Sequence, residues 1–133
     1  MAQHFTLAEL TRSDTADRLR IANTPNHDEV RRLNHLMDNC LDPIRKAWGK
    51  PIGVNSGYRC RRLNEAVGGT PTSQHLKGEA ADITTGSKEG NRRLFELIQS
   101  LGVDFDQLID ESGYKWLHIS CVAQGNRLQI LHL

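Results

Sequence analysis

A histidine and an aspartate seven positions apart constrain this chain more than any other feature. They stand in Ser73-Gln74-His75-Leu76-Lys77-Gly78-Glu79-Ala80-Ala81-Asp82, and a second histidine answers them in Trp116-Leu117-His118. Two imidazoles and one carboxylate are the ligand set of a catalytic zinc site, which keeps a fourth position open for a water whose pKa the metal lowers to about 7. A structural zinc site is more often closed by four ligands rich in cysteine. Gly78 lets the loop turn back so that His75 and Asp82 can reach one ion, and two alanines beside Asp82 leave room for close approach. His118 must then arrive from a separate strand.

Composition narrows the alternatives. At 133 residues the chain is long enough to bury a core without disulfides, and one domain over 1–133 is expected. The 17 Lys+Arg against 16 Asp+Glu give a net charge of +1, which offers no field for nucleic acid or an anionic membrane. Arg31-Arg32, Arg59-Cys60-Arg61-Arg62 and Arg92-Arg93 read as solvated helix faces. Cys40, Cys60 and Cys121 are odd in number and form no CxxC pair, which argues against a disulfide framework or a thiolate metal knuckle. Cys40 falls on an apolar helical stripe, and Cys60 and Cys121 are the two thiols free to approach the site. The reading is a protein made soluble in the cytoplasm. No secretory leader opens the sequence, and no apolar run nears the roughly 18 residues that cross a bilayer. A monomer is expected.

Along the chain, Phe5–Leu10 reads as a short capped turn, with Thr6 accepting from the N–H of Glu9. A longer helix should begin near Pro25 under an Asn23 or Thr24 cap, with Val30, Leu33, Leu36, Met37, Cys40, Leu41 and Ile44 as its buried stripe and a kink or restart at Pro43. Residues 50–58 read as a strand running into a turn. Residues 61–67 form a short helix closed by Gly68-Gly69, 70–77 a loop, and 79–83 a strand. Ser87 caps a helix from Lys88 to Leu101 that stops at Gly102. Residues 107–111 and 116–122 are two strands joined by Ser112-Gly113-Tyr114-Lys115. The fold class is α+β, a small antiparallel sheet carrying the chemistry with helices packed on one side.

That hairpin makes a sharper prediction. With Ser112–Lys115 as the turn, Glu111 lies opposite Trp116, Asp110 opposite Leu117, and Ile109 opposite His118. Glu111, Ile109, Trp116 and His118 then share a face, and Asp110 points the other way. A carboxylate beside a zinc ligand can take a proton from the attacking water and return it to a leaving amine. Glu111 is the candidate base; a one-residue slip in register would give Asp110 instead. A two-histidine, one-carboxylate set also accepts iron or cobalt.

Taken together, Ser56-Gly57-Tyr58-Arg59, Asn64, Val67-Gly68-Gly69, the block from Ser73 to Asp82, and Trp116-Leu117-His118-Ile119-Ser120 resemble the M15 family of zinc D-Ala-D-Ala metallopeptidases. The likeness is greatest to its small, phage-associated branch and covers nearly the whole chain. It implies the α+β fold shared with the hedgehog signalling domain, one zinc ion on His75, Asp82 and His118, and hydrolysis of peptidoglycan stem peptides by carboxypeptidase or endolysin-type endopeptidase action. It also implies that Arg59 steadies the substrate carboxylate or the developing oxyanion. By the same likeness Ser73 and Gln74 line the pocket, with Trp116 as a wall. A phage or prophage setting, with action on the wall after release, belongs to the same expectation. Several members carry their catalytic acid three positions before the second histidine, where this chain has Lys115. That departure keeps open a catalytically inactive metal-binding module, or a phage structural module, on the same fold.

Overall fold

Several helices start where a side chain can accept the backbone N–H groups that the first turn leaves over. In the computed structural model, which describes residues 3–133, Thr6 and Glu9 close a reciprocal capping box over α1 (Leu7–Thr11). Ser13 caps α2 (Asp14–Leu19). The long helix α3 (His27–Leu36) is capped by Asn26, whose side chain accepts from Glu29 while Glu29 reaches back to the Asn26 N–H. The sequence places this start at Pro25 under Asn23 or Thr24. The reciprocal box wins because it satisfies two N–H groups, where proline at the first position only spares one.

Proline 43 interrupts the stripe as expected, but through a particular device. Its missing N–H is absorbed one turn earlier, where Met37–Leu41 winds as a π-turn and the Asp42 N–H reaches back to the Met37 carbonyl. Helix α4 (Asp42–Trp48) then continues, so Leu33, Leu36, Met37, Cys40, Leu41 and Ile44 all stay buried.

Strands β1 (Gly53–Ser56), β2 (Ala80–Thr84), β3 (Gln107–Glu111), β4 (Trp116–Ser120) and β5 (Gln129–His132) form a five-stranded sheet in the order β1-β2-β4-β3-β5. All neighbours are antiparallel except β3 and β5, which run parallel. The small antiparallel sheet read from the sequence is thus a five-stranded, mostly antiparallel one with a single parallel pair. Helices α5 (Arg61–Ala66) and α6 (Lys88–Ser100) fall where the sequence reading puts them, α6 under its Ser87 cap, and Gln74–Lys77, read as loop, is a single 3₁₀ turn.

Alternation along the strands divides the sheet into two faces. Ala81, Ile83, Leu108, Leu117 and Ile119 join the helical stripe, with Leu94, Phe95 and Ile98 of α6, in one core. Asp82, Ile109, Glu111, Trp116 and His118 occupy the opposite face. The helices cover one side of the sheet, and the chemistry sits on the other.

Candidate metal centre

Antiparallel register does most of the placing. Asp82 of β2 lies directly opposite His118 of β4, and His118 directly opposite Ile109 of β3, so these three cross the sheet in one row. Glu111 faces Trp116, as the hairpin reading requires.

His75 comes from outside the sheet. Ser73 accepts from the His75 N–H at 3.2 Å to start the 3₁₀ turn, and Gly78 ends it at φ +80. A Cβ on Gly78 would stand 2.8 Å from the Glu29 carbonyl oxygen, so only glycine lets the turn close against α3. The His75 ring is held by its Nδ1–H, which donates to the Gly57 carbonyl at 2.7 Å. A carbonyl only accepts, so a proton sits on Nδ1, and Nε2 is the atom turned toward Asp82. Gly57 is itself pinned against α1, since a Cβ there would lie 2.2 Å from the Leu10 carbonyl oxygen.

The donors converge. His75 Nε2 is 3.3 Å and His118 Nδ1 3.2 Å from Asp82 Oδ1, and one ligand atom from each residue lies within 4.8 Å of the others. The two rings meet edge to face with centroids 5.2 Å apart. His75 and Asp82 are buried, and His118 is half-buried. In a tetrahedron with bonds of about 2.0–2.1 Å, the value for zinc to imidazole, neighbouring ligand atoms stand roughly 3.3–3.4 Å apart. The two measured edges match that spacing, and the set is the nitrogen and oxygen set zinc takes. These residues fit one zinc ion.

Electrostatics keep the carboxylate ready to ligate. Burial pushes the pKa of Asp82 up, but hydrogen bonds from His118 and His75 outweigh it and hold the group well below the ordinary carboxylate range. Arg59 Nη2 lies 3.5 Å from Asp82 Oδ2. Its Nε donates to Ser56 Oγ at 3.0 Å and its Nη1 to Asn64 Oδ1 at 3.3 Å. Burial draws the guanidinium pKa down, and Asp82 and Glu111 oppose that. Asn64 also donates to the Thr70 carbonyl, so it props Arg59 from below.

A cleft of about 780 Å³ opens over this cluster. The loop 67–73 forms one wall, and Gln107, Ile109, Glu111 and Trp116 form the other. Arg59, Ser73 and Gln74 also line it, so the three candidate ligands, Glu111 and the candidate substrate contacts all reach the same space. Trp116 does more than wall the cleft: its Nε1–H donates to Glu111 Oε2 at 2.5 Å and fixes the carboxylate. Asp110, the alternative base, turns to the helical side, where His132 Nδ1 pairs with it. His132 is itself exposed yet tied to that buried acid. Lys115 is exposed on the hairpin turn.

Three features went unseen in the sequence. Buried Asp106 takes a fork from Arg127 at 2.9 and 2.7 Å and a further bond from Gln74 Nε2 at 3.0 Å, which orients Gln74 at the cleft rim. Gln74 Oε1 is buried without a hydrogen-bond partner among the described residues. Asn23 ties the segment below Arg59 by accepting from the Cys60 N–H and donating to the Tyr58 carbonyl. No spacing rule marks such residues, because these partners lie 21 to 37 positions away. Cys121, one of the two thiols read as free to approach the site, instead joins Cys40 in the core under the helices.

Comparison with known proteins agrees with this geometry. A stretch of 49 residues is 47% identical to the zinc D-Ala-D-Ala carboxypeptidase of Streptomyces albus G, covering 36% of this chain and 19% of that protein. The match thus spans about a fifth of the relative's length. The Peptidase M15 family model matches residues 3–120, and the chain belongs to the peptidase M15 family.

Proposed function

We propose that this protein is a zinc peptidase that hydrolyses peptide bonds in peptidoglycan stem peptides, as a carboxypeptidase or an endolysin-type endopeptidase. The observation that carries the reading is the meeting of His75, Asp82 and His118 on the floor of a cleft that Glu111 and Arg59 also line. Bound zinc supplies a Lewis acid there and lowers the pKa of a water toward 7. Glu111 accepts the proton of the attacking water and passes it to the leaving amine, with Trp116 holding its carboxylate in place. Arg59, braced by Ser56 and Asn64, offers its fork to a substrate carboxylate or to the oxyanion formed on attack. Ser73, Gln74 and Trp116 shape the walls against the peptide. The substrate class rests on the resemblance and on the name of the Streptomyces relative.

The working unit is taken as a monomeric single domain, made in the cytoplasm and reaching the wall by a phage or prophage route. No helix among the described residues is long and apolar enough to cross a membrane. A second reading, a metal-binding module without turnover, draws on Lys115 in place of an acid and on the Glu111 carboxylate already engaged by Trp116. Incubating the zinc-loaded protein with purified peptidoglycan separates the two, with new amino groups followed and products identified by mass. Released D-alanine marks a carboxypeptidase and shortened cross-links or stems an endopeptidase. Tight zinc without turnover on any wall peptide would overturn the first reading in favour of the second.

A further inference from the structure

The charges of the whole chain nearly cancel, but those facing the cleft do not. Arg59, Lys77 and Arg127 line it against Asp82 and Glu111. Asp82 belongs to the metal set, and Glu111 is already engaged by Trp116. Arg59 is accounted for by its place beside Asp82. Arg127 is not. Its Nε and Nη2 form a fork on Asp106 at 2.9 and 2.7 Å, and its own backbone N–H bonds the same carboxylate at 3.1 Å. Gln74, from the turn that bears His75, donates to that acid as well. The pair is lopsided: the Asp106 side chain is 5% exposed and that of Arg127 56%. Nη1 of Arg127 has no partner among the described residues. A guanidinium already held in one position, with an open edge, loses little side-chain freedom when it grips an anion.

We propose that Arg127 is a second carboxylate subsite of this cleft, and that the peptide it takes carries an acidic group set well apart from the one received at Arg59. The proposal rests on the peptidase reading for the peptide itself; the second acidic group follows from Arg127 alone. Register gives the separation. Asp82 on β2 and Ile109 on β3 are two strands apart, about 9–10 Å, and Asp106 stands three residues before Ile109, about 10 Å along the strand. The acids that hold the two guanidiniums are thus on the order of 14 Å apart, with the metal row at one end of that diagonal. Extended peptide covers this span in about three to four residues. A peptide anchored at Arg59 and crossing the metal would therefore bring to Arg127 a group beyond the bond being cut. The contact is a selectivity contact: it adds affinity for an acidic peptide and touches no reacting atom.

The test compares two synthetic stem pentapeptides ending in D-Ala-D-Ala, one with its glutamate carboxyl free and one with that carboxyl amidated. Binding is titrated calorimetrically on zinc-loaded Glu111→Gln protein, so that turnover does not enter the reading. The free acid should bind about tenfold more tightly than the amide, the worth of one charge-assisted fork. Arg127→Gln in the same background should abolish that preference while holding the amide within about twofold of its former affinity. A merely structural salt bridge would weaken both peptides alike, and that result would overturn the proposal. So would equal affinities before Arg127 is changed, or a preference that survives Arg127→Gln, which would assign the acid to Lys77. Where Arg127→Gln does not fold, Arg127→Lys keeps a charge for Asp106 but no planar fork; the preference should shrink to about threefold, and an undiminished one would overturn the proposal. Failure here leaves cleavage of the amidated peptide by the parent intact, whereas failure of the peptidase reading shows as no cleavage of either.

Discussion

Glu111→Gln isolates the proposed base, because the structure predicts two effects of very different size. Glutamine keeps an acceptor for the Trp116 Nε1–H, now 2.5 Å from Glu111 Oε2, and loses only the charge assistance of that bond. The cost to folding is therefore about 1 kcal/mol, the difference between a charged and a neutral hydrogen bond. The cost to the reaction is larger: removing a general base lowers the rate about 10²–10⁴-fold, or roughly 2.7–5.5 kcal/mol of barrier. The zinc ligands are untouched. Glu111 stands diagonal to His118 on the same sheet face, a separation of about 7–8 Å between backbones, close enough to serve the reaction but not to ligate. The assay is kcat/KM for release of stem-peptide products at saturating zinc, alongside metal content and a urea melt. Asp110→Asn is the control, since Asp110 faces the helices and His132. It should keep activity within about threefold while losing stability. The reasoning is refuted if Glu111→Gln, with one zinc bound, keeps more than about a tenth of the activity. A folded Asp110→Asn that falls a hundredfold would refute it equally.

Two further outcomes test the frame around the site. Asn91 is buried on α6 and donates to the Tyr114 and Lys115 carbonyls at 2.9 and 3.1 Å while accepting from the Thr85 N–H at 2.7 Å. Asn91→Ala should cost about 2–4 kcal/mol in urea unfolding, because it strands groups in the turn that sets Glu111 against Trp116; a loss under about 0.5 kcal/mol would contradict this. Asp106 is held below its ordinary pKa first by the Arg127 fork, against burial, so its stabilising effect is present above the unfolded carboxylate pKa near 3.9 and fades as pH falls through the folded value. Arg127→Met raises that folded value, so acid unfolding followed by circular dichroism should occur at a higher pH than in the parent, and an unmoved midpoint would count against the network.

The parts of this site that could be read from the sequence are those that local geometry governs. Ser112–Lys115 can turn because Ser112, Gly113 and Tyr114 all adopt positive φ, and a turn fixed at both ends leaves one register. From that register and the two-residue period, the faces of Asp110, Glu111, Trp116 and His118 follow with no knowledge of the rest of the chain. The α3 stripe is legible for the same reason, with 3.6 as its period.

What escaped the sequence depends on partners that arrive from far along the chain. Strand β5 pairs in parallel with β3, and its apolar residues do not follow its alternating burial: Ile130 is exposed like His132, whose ring reaches back to Asp110. A parallel edge strand is specified by the neighbour it joins and not by a turn, so nothing near residue 129 announces it. Asp106 looks like any acid at a strand end until Arg127 and Gln74 close on it. The cysteines show the same limit. Counting thiols gives an odd number and no motif, and only the folded chain places Cys40 and Cys121 in one buried core. Ligand identity was therefore local information, while the support of those ligands was not. His75 needed only its own block to be suspected, but its orientation depends on the carbonyl of Gly57, eighteen residues upstream, and on α1, which leaves no room for a side chain there.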